Sequence, residues 1–230
     1  MNTEELRIAA AAYGTPTYIF DVREVETRIR LLRSLLPEGT GLCFAVKANP
    51  FLIPYVADMV DRLEVCSPGE YEICIQEQIA PEKIVVSGVN KTYESMKRIL
   101  SYSKGAGIYT IESEEHAKIL RTLAEKNHMQ LSVLIRLSSG NQFGVDAETF
   151  IRLAKEVQES PYLTLAGVHY YAGTQKRQSK LEKEMDTLAA FAGTFEAETG
   201  TRLPELEYGA GMKVSYFVND SEKDQRESEP

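Results

Sequence analysis

The stretch LSVLIRLSSGNQFGVDAETFIRLAKEVQESPYLTLAGVHYY, residues 131–171, sets the pattern for the whole chain. It opens with Leu131–Leu137, an apolar run broken by Ser132 and Arg136, which reads as a strand buried on both faces. Asp146 then offers a side-chain oxygen to start a helix, and Ala147, Phe150, Ile151, Ala154 and Val157 recur along one helical face. Leu165–Tyr171 returns to an extended apolar run. Strand, helix, strand in this order calls for a right-handed crossover between parallel strands.

The same alternation extends in both directions. Upstream runs are Thr17–Asp21 (TYIFD), Gly41–Lys47 (GLCFAVK), Leu63–Ser67, Ile84–Gly88 and Gly107–Ile111; downstream lies Glu205–Gly209. Between them, Val25, Ile29, Leu32 and Leu36 share one helical face with Arg23, Glu26, Arg30 and Arg33 outside it, and Ala117, Leu120, Leu123 and Ala124 form another. Repeated strand–helix units build either a doubly wound sheet or a barrel. No GxGxxG follows the first strand, which disfavours the dinucleotide-binding alternative. The fold expected is α/β, a TIM-type (β/α)8-like barrel, in a chain of 230 residues. It should occupy residues 1–218, with the polar, aperiodic segment 219–230 as a mobile tail.

Charge and composition exclude several classes of partner. With 26 Lys+Arg against 34 Asp+Glu the net charge is −8, the wrong sign for nucleic acid or an anionic membrane surface. No run approaches the roughly 18 apolar residues that span a bilayer. The start MNTEELRIAAAAYG lacks the basic and apolar regions of a secretory signal. Cys43, Cys66 and Cys74 make an odd count without CxxC spacing, as in a reducing compartment, so a cytoplasmic location is expected. With 3 histidines and no helix pairing them, a metal site is not expected.

A few residues could carry chemistry. Lys47 closes CFAVK at the end of a strand, where barrels build active sites; a desolvated lysine amine there can attack a carbonyl. A strand-end lysine reaching solvent is the plainer reading. Gly209-Ala210-Gly211 and Gly173-Thr174 each follow a strand, and turns of small residues let backbone amides approach an anion. Either could equally be an ordinary turn. His169 and Tyr171 alternate onto one strand face, beside a ligand ring or as part of a filled barrel layer. Arg136 is a charge in an apolar strand and needs an anionic or aromatic partner. Glu64 and Glu70 flank the turn VCSPG and could orient Lys47 or a ligand, or simply face solvent.

Taken in order, these pieces resemble the pyridoxal-phosphate-dependent amino acid decarboxylases of the alanine-racemase-like fold, most closely the diaminopimelate decarboxylases, over about residues 14–212. GTPTYIFD resembles the family's opening strand and FAVKANP its lysine motif, which implies that Lys47 bonds the aldehyde of pyridoxal 5'-phosphate. VCSPGEYE resembles the next strand and turn and brings in Ser67, Gly69 and Glu70. RLSSGNQFGVD resembles the arginine strand and its phenylalanine-glycine turn (Arg136, Phe143, Gly144). GVHYYAGTQ and LEYGAGM resemble the two phosphate-side segments, here Gly173 with Thr174 and Gly209, Ala210 and Gly211.

The chain departs from that family in three places. Tyr171 stands where the family usually has a ring-stacking histidine, while His169 matches an upstream histidine of diaminopimelate decarboxylases. A tyrosine ring can stack but carries no imidazolium charge. Glu64 stands for a shorter carboxylate. Finally, the resemblance stops before the later acid that pairs with the pyridinium nitrogen and before a C-terminal β-domain. The expectation is therefore an incomplete barrel from a longer protein, with TYIFD belonging to that β-domain and seven strands left. The activity implied is decarboxylation of an amino acid, meso-diaminopimelate first, in lysine biosynthesis, by a full-length homodimer. The alternatives are another basic substrate such as ornithine or arginine, or a single-barrel pyridoxal-phosphate-binding module without decarboxylase activity.

Overall fold

A computed structural model of the chain describes residues 1–215; the segment 219–230, expected as a tail, lies outside the described residues. The chain divides into two compact units, residues 1–63 and residues 64 onward.

The first unit begins with α1, Thr3–Tyr13, closed by a capping box between Asn2 and Glu5. Asp21 caps α2, Val22–Leu35, where Val25, Ile29, Leu32 and Leu36 are half-buried and Arg23, Arg30 and Arg33 exposed, as the periodicity implies. Strand β1 is Cys43–Ala45, followed by a 3-10 turn over Val46–Ala48 that carries Lys47. A second such turn, Pro50–Leu52, leads into the short α3, Ile53–Val56. Asp61 ties this unit together: its Oδ2 accepts from the Leu42 amide at 2.7 Å and lies 3.1 Å from the Arg33 guanidinium.

The expected strand at Thr17–Asp21 does not form. Its apolar residues are exposed instead, Tyr18 by 91%. A strand needs a neighbouring edge for its amides and carbonyls, and no described strand pairs with this one. The pattern was legible but lacked a partner.

Strand β2, Arg62–Val65, crosses from the first unit into the second. Then come α4 (Pro68–Gln76), β3 (Ile84–Val86), α5 (Tyr93–Ser103) and β4 (Ile108–Ile111). They are followed by α6 (Glu114–Asn127), β5 (Leu131–Arg136), α7 (Ala147–Glu159), β6 (Leu163–Tyr171), α8 (Gln178–Thr199) and β7 (Leu206–Gly209). In the second unit the strands lie in sequence order to β7, and the pairs from β3 to β7 are parallel. Parallel strands in sequence order with helical crossovers are the barrel arrangement, one strand short of eight. The difference from the eight extended runs in the sequence is Thr17–Asp21.

Strands β3 and β4 are buried at every position, and β5 at all but Ser132, because helices cover one face and neighbouring strands' side chains the other. Between β5 and β6 the register breaks: Val133 faces Leu165 but Leu134 faces Gly167, so Ala166 is an extra residue on β6. Asp146 caps α7, accepting from the Thr149 amide at 2.8 Å. The α7 apolar face packs on α8 through Phe150, fully buried, whose ring meets Phe191 edge-on at 4.9 Å and Phe195 at 6.0 Å. Among the described residues no helix is long and apolar enough to cross a membrane. Replacing Phe150 with Ala empties the centre of this aromatic cluster. The expected cost is about 3–5 kcal/mol, read as a lower denaturant midpoint with unchanged slope.

Candidate active site

The C-terminal ends of the second unit's strands carry most of the predicted site residues. At the end of β2, the Ser67 Oγ accepts from the Glu70 amide at 3.2 Å, and the Glu70 Oε2 accepts from the Cys66 amide at 2.9 Å. Both side chains thus close the N-terminus of α4 and stiffen the turn after Glu64. Glu64 itself points toward β6, with its Oε1 3.4 Å from the His169 Nε2. His169 is 4% exposed, and its Nδ1 is buried without a hydrogen-bond partner among the described residues. With Glu207 on β7 these residues form a group whose ligand-type atoms lie within 4.8 Å of one another. The sequence reading singled out Glu64 and His169 but not Glu207. It also did not anticipate a grouping of metal-ligand type.

Arg136 ends β5 and finds both kinds of partner its placement requires. Its guanidinium donates to the Glu112 Oε2 at 2.7 Å and lies 5.1 Å from the Phe143 ring and 6.0 Å from the Tyr171 ring. The turn carrying Phe143 returns to β5, where the Arg136 carbonyl accepts from the Val145 amide at 2.9 Å. Tyr171 in turn lies across Gly209, where a Cβ would come within 2.5 Å of the Tyr171 ring. Glycine at 209 is what lets the tyrosine ring lie there.

Beyond Tyr171 the two small-residue turns meet. Gly211 has φ +57, and a Cβ on it would sit 2.0 Å from the Gly173 carbonyl. The Lys176 amide donates to the Gly211 carbonyl at 2.9 Å, so the segments 173–176 and 209–211 are held side by side. Among the described residues no hydrogen bond engages the Thr174 hydroxyl or the amides of Thr174 and Ala210. Thr174 is exposed, as an anion donor must be. Lys47 belongs to the first unit, exposed in the turn that follows β1.

Sequence reasoning missed a buried charge network beside Arg136. Lys91, following β3, donates to the Thr110 Oγ1 at 3.0 Å and lies 3.3 Å from the Glu112 Oε1; both side chains are 1% exposed. Burial pushes the Lys91 ammonium down to about 8, although Glu112 pulls the other way. Burial pushes the Glu112 carboxyl up, but Lys91 and Arg136 together hold it below the ordinary carboxylate range. His116 closes the group by accepting from the Glu112 amide at its Nδ1, 3.4 Å away. Burial first, and then Lys91, lower that ring to about 4. Glu112 follows the run IYTI directly, the same strand-end signal that drew attention to Lys47, so it could have been found.

Two outcomes are expected of this network. Glu112→Gln leaves two buried cations facing each other and should cost about 3–5 kcal/mol in urea unfolding. The neutral His116 ring contributes stability that is complete above about 6.5 and is lost as pH falls through about 4. Between those values the unfolded state binds the extra proton, so stability must fall with acidity. His116→Gln should flatten that part of the stability–pH curve.

The chain is 31% identical to the diaminopimelate decarboxylase of Actinosynnema pretiosum subsp. auranticum, over 94% of this chain and 52% of that protein. It is 29% identical to the diaminopimelate decarboxylase of Pseudomonas aeruginosa, over 90% and 54%. Among solved structures, AQ1208 from Aquifex aeolicus matches with a TM-score of 0.81 at 23% identity, over 94% of this chain and 54% of that one. Diaminopimelate decarboxylase from Helicobacter pylori, complexed with L-lysine, matches with a TM-score of 0.77 at 22% identity, over 96% and 59%. At these identities the structures speak to the fold. The chain spans about half the length of the curated relatives it matches. Residues 22–229 match the family described as pyridoxal-dependent decarboxylase, pyridoxal binding domain, and the chain belongs to that family.

Proposed function

We propose that this chain is the cofactor-binding barrel part of an amino acid decarboxylase that holds pyridoxal 5'-phosphate and acts on meso-diaminopimelate, leaving lysine. The observation that carries the reading is the contact between Gly173 and Gly211, which sets two small-residue turns and the exposed Thr174 at one place at the strand ends. A side chain at 211 would strike the Gly173 carbonyl, so glycine there lets the two turns close up beside each other, where both can face one phosphate. The substrate choice rests on the names of the most similar relatives and on His169 in its motif.

When bound, the cofactor supplies an electron sink for the charge left as a carboxylate departs as carbon dioxide. The residues of this chain divide the remaining work. Lys47 supplies the amine that bonds the cofactor aldehyde; its exposed position after β1 lets a substrate amine reach it. The Thr174 hydroxyl and amide and the Ala210 amide, set between Gly173 and Gly211, would hold the phosphate, while Tyr171, braced on Gly209, would offer a face for the ring. Arg136 is kept in place by Glu112 and gives the strand ends a fixed positive charge. Glu64 and His169 form a polar pair that would serve the bound ring, and Ser67 with Glu70 hold Glu64's turn rigid. In the whole protein this barrel would pair as a homodimer in the cytoplasm.

The test is an absorbance titration with pyridoxal 5'-phosphate, comparing the chain with its Lys47→Ala variant. The visible band of the lysine-bound cofactor should grow in with the parent chain and vanish in the variant. A band that survives the substitution assigns the amine to another lysine.

A further inference from the structure

We propose that Lys176 is the positioning residue of the phosphate cradle: its buried ammonium, held by Glu184, clamps the 209–211 turn against the 173–176 turn. This rests on the proposed binding of pyridoxal 5'-phosphate and names the side chain that makes the phosphate count.

Lys176 touches both ends of the 209–211 turn. Its amide donates to the Gly211 carbonyl at 2.9 Å and its Nζ to the Gly209 carbonyl at 3.3 Å, while its own carbonyl accepts from the Lys213 amide at 3.0 Å. The methylene stem lies beneath Gly211, with Cε 3.1 Å from where a Cβ would stand. The Nζ is 2.7 Å from the Glu184 Oε2 and 5.0 Å from the centre of the Tyr208 ring. Tyr208 donates its hydroxyl to the same Glu184 oxygen at 2.7 Å. A single carboxylate on α8 thus fixes both the lysine and the strand that leads into the turn.

This arrangement is costly if it serves stability alone. The Lys176 side chain is 3% exposed, lysines are rarely buried without a partner, and the Glu184 Oε1 is buried with no hydrogen-bond partner among the described residues. Replacing such a pair with well-packed apolar residues is often neutral or stabilising. An apolar side chain could fill the same space, but it could not bond the Gly209 carbonyl. What the ammonium adds is the orientation of that peptide, and with it the direction of the amides that follow. Two turns donating to one anion must be held in register; separate turns bind it poorly.

The experiment compares pyridoxal 5'-phosphate with pyridoxal, which has the same aldehyde and no phosphate, on the parent chain, Lys176→Met and Glu184→Gln. Binding is followed by absorbance, and inorganic phosphate serves as competitor. Lys176→Met should weaken the phosphorylated ligand by about tenfold or more and leave pyridoxal unchanged, and phosphate should cease to compete. Glu184→Gln keeps the cation but loosens its anchor, so the preference should fall in the same direction. Equal losses for both aldehydes, or an unchanged preference, would overturn the proposal. If Lys176→Met does not fold by circular dichroism, the preference measured on Glu184→Gln decides alone. A parent chain that binds neither aldehyde defeats the cofactor reading and this inference with it, whereas binding with variant-independent preference defeats the inference only.

Discussion

The second unit depends on one buried carboxylate. Glu112, at the end of β4, stands between Lys91 and Arg136, which come from the ends of the strands on either side. In a medium that solvates charge poorly, none of these groups is tolerable alone, so the three must be held together. The consequences spread along the strand ends. Glu112 places Arg136; the Arg136 guanidinium gathers Phe143 and Tyr171; the Tyr171 ring requires the bare backbone of Gly209. The open end of the sheet owes its shape to a chain of contacts that starts with one charge balance.

Tyr171 illustrates how the type of ring at a strand end decides which neighbours must supply charge. A histidine there could stack on a ring and carry charge; a tyrosine only stacks. The positive charge near the Tyr171 ring comes from Arg136, 6.0 Å from its centre. His169, two residues earlier on the same strand face, turns to Glu64 rather than to Arg136. The His169–Glu64 pair therefore stands outside the chain of contacts that begins at Glu112.

The sequence showed its structure most clearly where local signals agreed with the burial they served. Along residues 131–171 the apolar run, the Asp146 cap and the helical face all led to one outcome, and β5, α7 and β6 formed there. At Thr17–Asp21 the same kind of apolar run produced no strand, because pairing is supplied by a neighbour and not by the run itself. Among the candidate residues, Arg136, His169, Lys47 and the glycine pairs stood out in the sequence as unusual types at strand ends. Lys176 and Glu184 did not. One follows a turn and the other sits on a long helix among other charges, and neither position looks unusual until the turn and the helix are brought together.

By itself, the order of residues determined the alternation of strand and helix, the parallel sheet that follows from it, and the family whose motifs recur at matching spacing. Those properties depend on period, on capping and on small residues at turns, all of which act within a few positions along the chain. Only the tertiary structure decided which charges meet. Glu112 with Arg136, Glu64 with His169, and Lys176 with Glu184 and Gly209 come from separate elements. Electrostatic pairing depends on distance through space, which the spacing of residues along a chain does not encode.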